Sequence, residues 1–511
     1  MKLISRRDFL KITGSVATSL LTPKSLAQWD IQGGEKPNII IVLCDALSAA
    51  HMSLYGYPRA TTPNINALAN VSTVYHNHYS AGNFTTTGTA SMLTGMLPWK
   101  HRAINYGGLV RSNAVYSNPY TLLGSEYNRF AFSQNVWSKY LLDQYSRDID
   151  RFLSIYDYSL LKDKNRSLLD LFRNDAAISS IAINDFLTPI AKDDPVGASI
   201  LGYLERAKFL EIDTHTMESY RGGLPHAMDR IPYRNEEVFF GIYAELLKLK
   251  EEQNPYFAYF HLWSPHSPYK PRNDFRNHFK NDGYKPALKP AHPYAPGFND
   301  EYLSARRIVY DRQIAQLDSE FGKLIQKLAE DGILQNSYLI FTSDHGELFE
   351  RGYVGHGNRL MYEPVIHIPL IIRAPGQTTR EDIYSPTSNI DILPTILSIA
   401  GKESNGDMDG KVLPGLGGQL DEDRAIYSIH AIENPAFQPI KNAVITMRKR
   451  AYKLFVNLKD EVTDPIFELY DLENDPEEMN DLSAKDDKLL SVMKTELFSE
   501  LDKANQEFGK K

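Results

Sequence analysis

Cysteine is nearly absent from this chain: Cys44 is the single one in 511 residues. One thiol excludes an intramolecular disulfide and any cysteine-built zinc cluster, so stability has to come from a packed core. A surplus of positive charge is missing too. Lys+Arg 56 against Asp+Glu 64 gives a formal net charge of −8, which argues against a nucleic-acid binder with a basic face. It does not exclude a small anionic substrate, because the local field at a cleft outweighs the net charge. Past the N-terminal segment, no apolar stretch approaches the ~18 residues of a membrane-spanning helix. What remains is ordinary for a globular protein, with 42% hydrophobic and 23% charged residues. The length allows one large domain plus a smaller one.

Residues 1–27 read as a targeting segment and are left out of fold reasoning. Ser5-Arg6-Arg7-Asp8-Phe9-Leu10-Lys11 is followed by a weakly apolar stretch from Ile12 to Leu21, and Ser25-Leu26-Ala27 is a small-x-small cleavage site. The paired arginines resemble a twin-arginine signal, which hands folded proteins to the twin-arginine translocation machinery. A plain basic helix is the blander reading, and it leaves the ordered n-region, h-region and cleavage site unexplained. The expectation is an exported protein, periplasmic or extracellular, without a transmembrane helix in the mature chain. An uncleaved signal serving as an anchor is the alternative.

Residues 28–36 read as a linker. The run Pro37 to Asp45 is then continuously apolar and ends in a carboxylate, the pattern of a strand buried on both faces of a parallel sheet. Ser337 to His345, Pro255 to Trp263 and Ile366 to Ala374 repeat that pattern. Amphipathic helices lie between, the clearest from Tyr302 to Asp331. Alternating buried strands and helices indicate an α/β sandwich with a largely parallel central sheet. Residues 120–250 read as helices and loops on one edge, and residues 270–300 as a surface loop near the site. After Gly401 the texture changes to short strand-like runs and a polar helix, Asp486 to Asn505. The division predicted is a catalytic domain over 37–402 and a smaller α+β subdomain over 403–511.

In such sheets reactive residues collect beyond the carboxyl ends of the strands, where Asp45 and the Asp344-His345 pair both fall. Carboxylates with one imidazole suit a single divalent cation such as Mn, Mg, Ca or Zn. Asn83 to Leu93 reads as a loop entering a helix that opens with a run of hydroxyls. Helix capping accounts for one or two of those threonines. A helix N-terminus also favours an anion, and a Thr placed there against a metal has its hydroxyl ionised and serves as a nucleophile.

The ordered set Pro37-Asn38-Ile39-Ile40, Thr62-Pro63-Asn64-Ile65, Leu93-Thr94-Gly95, Ser343-Asp344-His345-Gly346-Glu347, His356-Gly357, Tyr362-Glu363, Asp391-Ile392-Leu393-Pro394-Thr395 and Glu468-Leu469-Tyr470-Asp471 resembles the sulfatases of the alkaline phosphatase superfamily. The resemblance implies that superfamily's sandwich and a metal held by Asp45, Thr85, Asp344 and His345. It implies catalytic histidines at His266 and His356. Arg359 stands near the place of a family lysine and is expected to supply substrate-binding charge. His101 is expected at the site rim, with plain packing as its alternative.

Two departures qualify the family pattern. Where sulfatases carry a Cys or Ser that becomes formylglycine, this chain has Thr85-Thr86-Thr87-Gly88-Thr89, and no Cys, Pro or Arg. A threonine nucleophile resembles instead the phosphoesterase and phosphotransferase branches. The usual Asp-Asp pair is Asp45-Ala46, and Asp311-Arg312-Gln313-Ile314-Ala315 brings no second-metal histidine, so one metal is expected. The function expected is phosphoester cleavage or transfer through Thr85 on a small-molecule, glycan or lipid-headgroup ester. The alternatives are a sulfuric ester hydrolase without formylglycine and a catalytically inactive binding relative. The exposed-looking aromatics Tyr106, Tyr116, Tyr269, Tyr284 and Tyr294 hint at a sugar or lipid headgroup.

Overall fold

The computed structural model describes residues 36–153, 155–158, 219–227, 231–252, 254–404, 406–458 and 465–508. The targeting segment 1–27 and all of the linker 28–36 except Lys36 lie outside them, as does much of 159–230.

The four apolar runs form strands Asn38–Cys44, Tyr256–Leu262, Ser337–Thr342 and Leu370–Arg373. All lie in one eight-stranded sheet. Asn38–Cys44 sits near its centre, parallel to both Tyr256–Leu262 and Ser337–Thr342. Leu370–Arg373 runs antiparallel to its two neighbours, Ser337–Thr342 and Thr73–Tyr75.

Side chains alternate across a strand, and the core divides accordingly. Ile40, Val42 and Cys44 pack with the helices Asn235–Lys250 and Asp300–Glu330 on one face. Ile39, Ile41 and Leu43 pack on the other face with Thr85–Thr94, Val136–Tyr145 and Ile392–Ile399. Each such side chain removed from water stabilises the fold by about 1.5–3 kcal/mol. The helix expected over Tyr302–Asp331 begins two residues earlier, because the Asn299 side chain accepts from Tyr302 N and caps it, with Asp300 and Glu301 in its first turn.

One expectation is corrected. Within 120–250 the structure places Asn128–Ser133 inside the sheet, parallel to Tyr256–Leu262, with Arg151–Leu153 on the edge beyond. Its apolar stretch, Phe130 to Phe132, is too short to stand out in sequence.

The C-terminal part is a four-stranded antiparallel sheet of Ile426–His430, Ala443–Lys449, Tyr452–Leu458 and Ile466–Asp471, covered by the helix Asp487–Gln506. Three of these strands match the short runs after residue 425. Ile466–Asp471 coincides with the segment that carried the tail motif.

Candidate active site

Three elements deliver the site. The central strand ends at Cys44 and the chain passes directly into Asp45, whose backbone N–H bonds Leu262 O at 3.0 Å. Ser337–Thr342 ends just before Asp344 and His345. The helix Thr85–Thr94 starts at Thr85, whose Oγ1 lies 3.4 Å from His345 Nε2. Its N-cap is Phe84, which has no side chain able to cap, so the first-turn N–H groups are left for another partner. None of the threonines serves as the cap. Thr87 donates to Ala103 O at 3.0 Å, Thr86 accepts from Gly107 N at 3.3 Å, and Thr85 Oγ1 faces His345 and Asn135.

Asp45, Asp344 and His345 are fully buried and bring ligand atoms within 4.8 Å of one another. Asp45 Oδ2 accepts from Asn135 Nδ2 at 2.6 Å and lies 3.2 Å from His261 Nε2. Asp344 Oδ1 accepts from the backbone N–H groups of Ala46 and His345. Among the described residues, Asp45 Oδ1 and Asp344 Oδ2 are buried without a hydrogen-bond partner. His345 Nε2 stands 3.4 Å from the first and 3.6 Å from the second. His345 Nδ1 meets Gly346 O at 3.0 Å, so the proton resides there and Nε2 presents a lone pair. Burial lowers the pKa of His345 and keeps it neutral. Two orphaned carboxylate oxygens and one imidazole lone pair, buried and convergent, are the donor set of a divalent cation. The residues therefore fit the metal.

Thr85 Oγ1 is 3.4 Å from His345 Nε2 and accepts from Asn135 Nδ2 at 3.1 Å. On the outer side His356 Nδ1 bonds Glu347 Oε1 at 3.0 Å. Burial works against a charged His356, but the Glu347 carboxylate outweighs it and holds the imidazole above its ordinary range. Burial likewise opposes the charged Glu347, yet the histidines keep it ionised. The His356 ring lies 4.1 Å from the His345 ring and 4.9 Å from that of His266. Burial opposes charge on Asp45 as well, but His266 and His261 together hold its carboxyl well below the usual range.

The structure thus gathers Asp45, Thr85, Asp344, His345, His266 and His356 into one cleft. It does not place His101 at the rim. That ring is fully buried, bonded to Ser91 Oγ at 2.9 Å and Ala103 N at 3.0 Å, and burial pushes its pKa down to about 3. Nor does Arg359 reach the cleft as a free charge. Its guanidinium is taken by Asn457, Asn442 and Glu433 of the C-terminal subdomain. The structure adds three residues to the site. Glu347 was in view as the end of the Asp-His-Gly-Glu turn. His261 was signalled by its polarity inside an apolar run. Asn135 carried no signal beyond a helix-capping residue.

A family profile described as Sulfatase matches residues 37–402, and one described as N-sulphoglucosamine sulphohydrolase, C-terminal, matches residues 350–507. The chain is 28% identical over 240 residues to the arylsulfatase K of Bos taurus, a match covering 46% of this chain and only 42% of that protein. It is 22% identical over 470 residues to an arylsulfatase of Clostridium perfringens, covering 88% of this chain and 90% of that one. The fold superimposes on a phosphonate monoester hydrolase of Agrobacterium radiobacter with a TM-score of 0.66 and 20% identity, covering 92% of this chain and 96% of that one. Among the described residues, no helix is long and apolar enough to cross a membrane.

Proposed function

This chain belongs to the sulfatase family, and on that premise we propose that it cleaves or transfers a phosphoester through Thr85. The observation that carries the reading is the position of Thr85 Oγ1. It opens a helix whose N-cap residue has no side-chain cap, accepts from the Asn135 amide that also donates to Asp45, and lies 3.4 Å from His345 Nε2. Formylglycine, whose hydrate releases sulfate by elimination, cannot arise from this residue. A threonine ester of phosphorus is open to in-line attack by water and turns over without it.

A divalent cation held by Asp45, Asp344 and His345 would supply Lewis-acid charge, lowering the pKa of the Thr85 hydroxyl and neutralising the oxyanion. The protein's own groups do the rest. Asn135 fixes Thr85 Oγ1 for attack. The Thr85–Thr94 helix N-terminus offers N–H groups to the equatorial oxygens. As the Thr85–phosphorus bond forms, the bond to the alcohol breaks, and His356 gives its proton to the departing alkoxide while Glu347 stabilises the charged ring. Water then attacks phosphorus, returns a proton to His356 and frees Thr85. In a transferase an acceptor hydroxyl takes the place of that water. His266 lines the outer side of this path. Residues 1–27 support export in folded form, in keeping with the paired arginines.

A sulfuric ester is the second reading, favoured by the printed names of the curated relatives. Release of nitrophenol from matched aryl phosphate monoester, phosphodiester, phosphonate monoester and sulfate decides between them. Mature protein loaded in turn with Mn, Mg, Ca and Zn should cleave a phosphorus ester, and Thr85→Ala should abolish turnover with metal still bound. Preferential sulfate cleavage, or retained activity in Thr85→Ala, would sink the proposal.

A further inference from the structure

Polar contacts continue behind the metal cradle, into a part of the core that is otherwise apolar. On the strand Tyr256–Leu262, residues 259 and 261 share a face. Tyr259 packs there with Ile41 and Leu43 under the helices Thr85–Thr94 and Val136–Tyr145. His261 stands next along the strand, beside Asp45. Both rings are 0% exposed.

Three hydroxyls converge behind His261. Tyr259 Oη is 2.9 Å from His261 Nδ1, and the two rings meet edge-on at 86°. Ser138 and Thr89 face the same phenol oxygen. Among the described residues, neither Ser138 Oγ nor Thr89 Oγ1 makes a well-formed hydrogen bond. Thr89 stands one turn beyond Thr85 on the nucleophile helix, and Ser138 lies in the first turn of the helix that Asn135 caps. The Tyr259 oxygen therefore sits where the nucleophile helix, the Asn135 helix and the ring behind Asp45 meet. Phenylalanine would fill the same space without burying an oxygen, so packing alone does not account for tyrosine at this position.

The direction of this chain follows from charge. Burial drives the Tyr259 phenol well above its ordinary pKa, so the group is a neutral O–H. If it accepted from Nδ1, a neutral imidazole would turn a bare Nε2 lone pair on Asp45 Oδ2, 3.2 Å away. If it donates to Nδ1, the ring proton sits on Nε2 and serves that carboxylate oxygen together with the Asn135 amide. The second direction is the attractive one, and Ser138 and Thr89 stand as donors behind the phenol. Asp45 Oδ1, without a partner among the described residues, is then the oxygen left over.

We propose that Tyr259 is a positioning residue of this site: its hydroxyl donates to His261 Nδ1, holds the ring as the Nε2–H tautomer, and so leaves Asp45 Oδ1 for the cation. The inference rests on the cation-holding reading of Asp45, Asp344 and His345 and deepens it.

The test uses mature protein carrying histidine labelled with heavy nitrogen, and zinc as a diamagnetic probe. Long-range proton–nitrogen spectra report the tautomer of each ring, and the His261 signals are those lost in His261→Phe. In the metal-free parent His261 should be an Nε2–H imidazole. Tyr259→Phe should stay folded in urea titration, mix the two tautomers, and weaken zinc affinity about tenfold in equilibrium dialysis read by elemental analysis. An Nδ1–H or doubly protonated ring in the parent overturns the assignment before any variant is made. So does a Tyr259→Phe protein with the parent tautomer or the parent zinc affinity. A Tyr259→Phe chain that does not fold makes the residue a part of the core alone, and overturns it as well. Parent protein that binds none of Mn, Mg, Ca and Zn overturns the cation-holding reading, while the same spectra still decide whether Tyr259 sets the tautomer.

Discussion

Asn135 joins the nucleophile to the metal cradle through a single amide, donating to Thr85 Oγ1 and Asp45 Oδ2 while its oxygen caps the helix Val136–Tyr145. The two roles separate on substitution. Asn135→Ser keeps a capping oxygen and withdraws the amide from Thr85 and Asp45, so activity should fall about 100-fold with a small change in melting temperature. A variant that loses stability and activity together would mean that the cap is the only role. His261 sits deeper. Tyr259 Oη is 2.9 Å from its Nδ1, and its Nε2 faces Asp45 Oδ2. A bare lone pair there would repel the carboxylate, so the proton belongs on Nε2, and the bond leaves Asp45 Oδ1 free for the cation. His261→Phe should weaken metal affinity about 10–100-fold, read by elemental analysis after dialysis against graded metal. Unchanged affinity would remove His261 from the cradle.

At the scale of elements, Gly88 marks a close backbone contact within the site. A Cβ there would lie 2.2 Å from the carbonyl oxygen of Asp344, so the nucleophile helix presses backbone to backbone on the strand end that carries the ligands. Gly88→Ala should cost about 1–3 kcal/mol in urea unfolding and displace Thr85 enough to cut activity. Full activity in that variant would mean that the helix and the ligand loop move independently. The long apolar strands, the 31-residue helix Asp300–Glu330 and the strand-end carboxylates were legible in sequence because each is a sustained local pattern. Asn128–Ser133 was not, because a strand of six residues with three apolar ones, next to the sheet edge, looks like loop until its neighbours cover it. His101 and Arg359 went astray for a related reason. Their residue types suit a site, and only tertiary contacts show that Ser91 and the C-terminal subdomain claim them. Asn135 belongs to the site through distances between elements far apart in sequence, which no local pattern encodes.

At the scale of the molecule, the C-terminal sheet is part of the catalytic unit. Ile429 N bonds Ala81 O at 2.8 Å and His430 bonds the Asn83 side chain, so the strand Ile426–His430 braces the segment that leads into Thr85. The bracing is secured by a buried ion cluster. Lys453 Nζ lies 2.7 Å from Glu478 Oε1 and 3.1 Å from Glu363 Oε1, with Lys453 and Glu478 each 1% exposed. Burial opposes charge on Glu363, but Lys453 and Arg448 hold its carboxyl down to about 2, whereas burial pushes Glu478 up. Lys453→Met strands both acids and should cost about 3–5 kcal/mol, and adding Glu478→Gln should recover part of it. The sign of the pH dependence follows from Glu363. Its folded pKa lies below the unfolded value, so its contribution is present in full above pH ~4.3 and is lost as pH falls towards 2. Glu363→Gln should therefore trail the parent protein most at pH 6, with the gap in urea midpoint narrowing towards pH 3. Should the gap stay constant over that range, Glu363 does not hold the two parts together through its charge. Loss of activity in Lys453→Met under conditions where the variant is still folded would tie the brace to Thr85 itself.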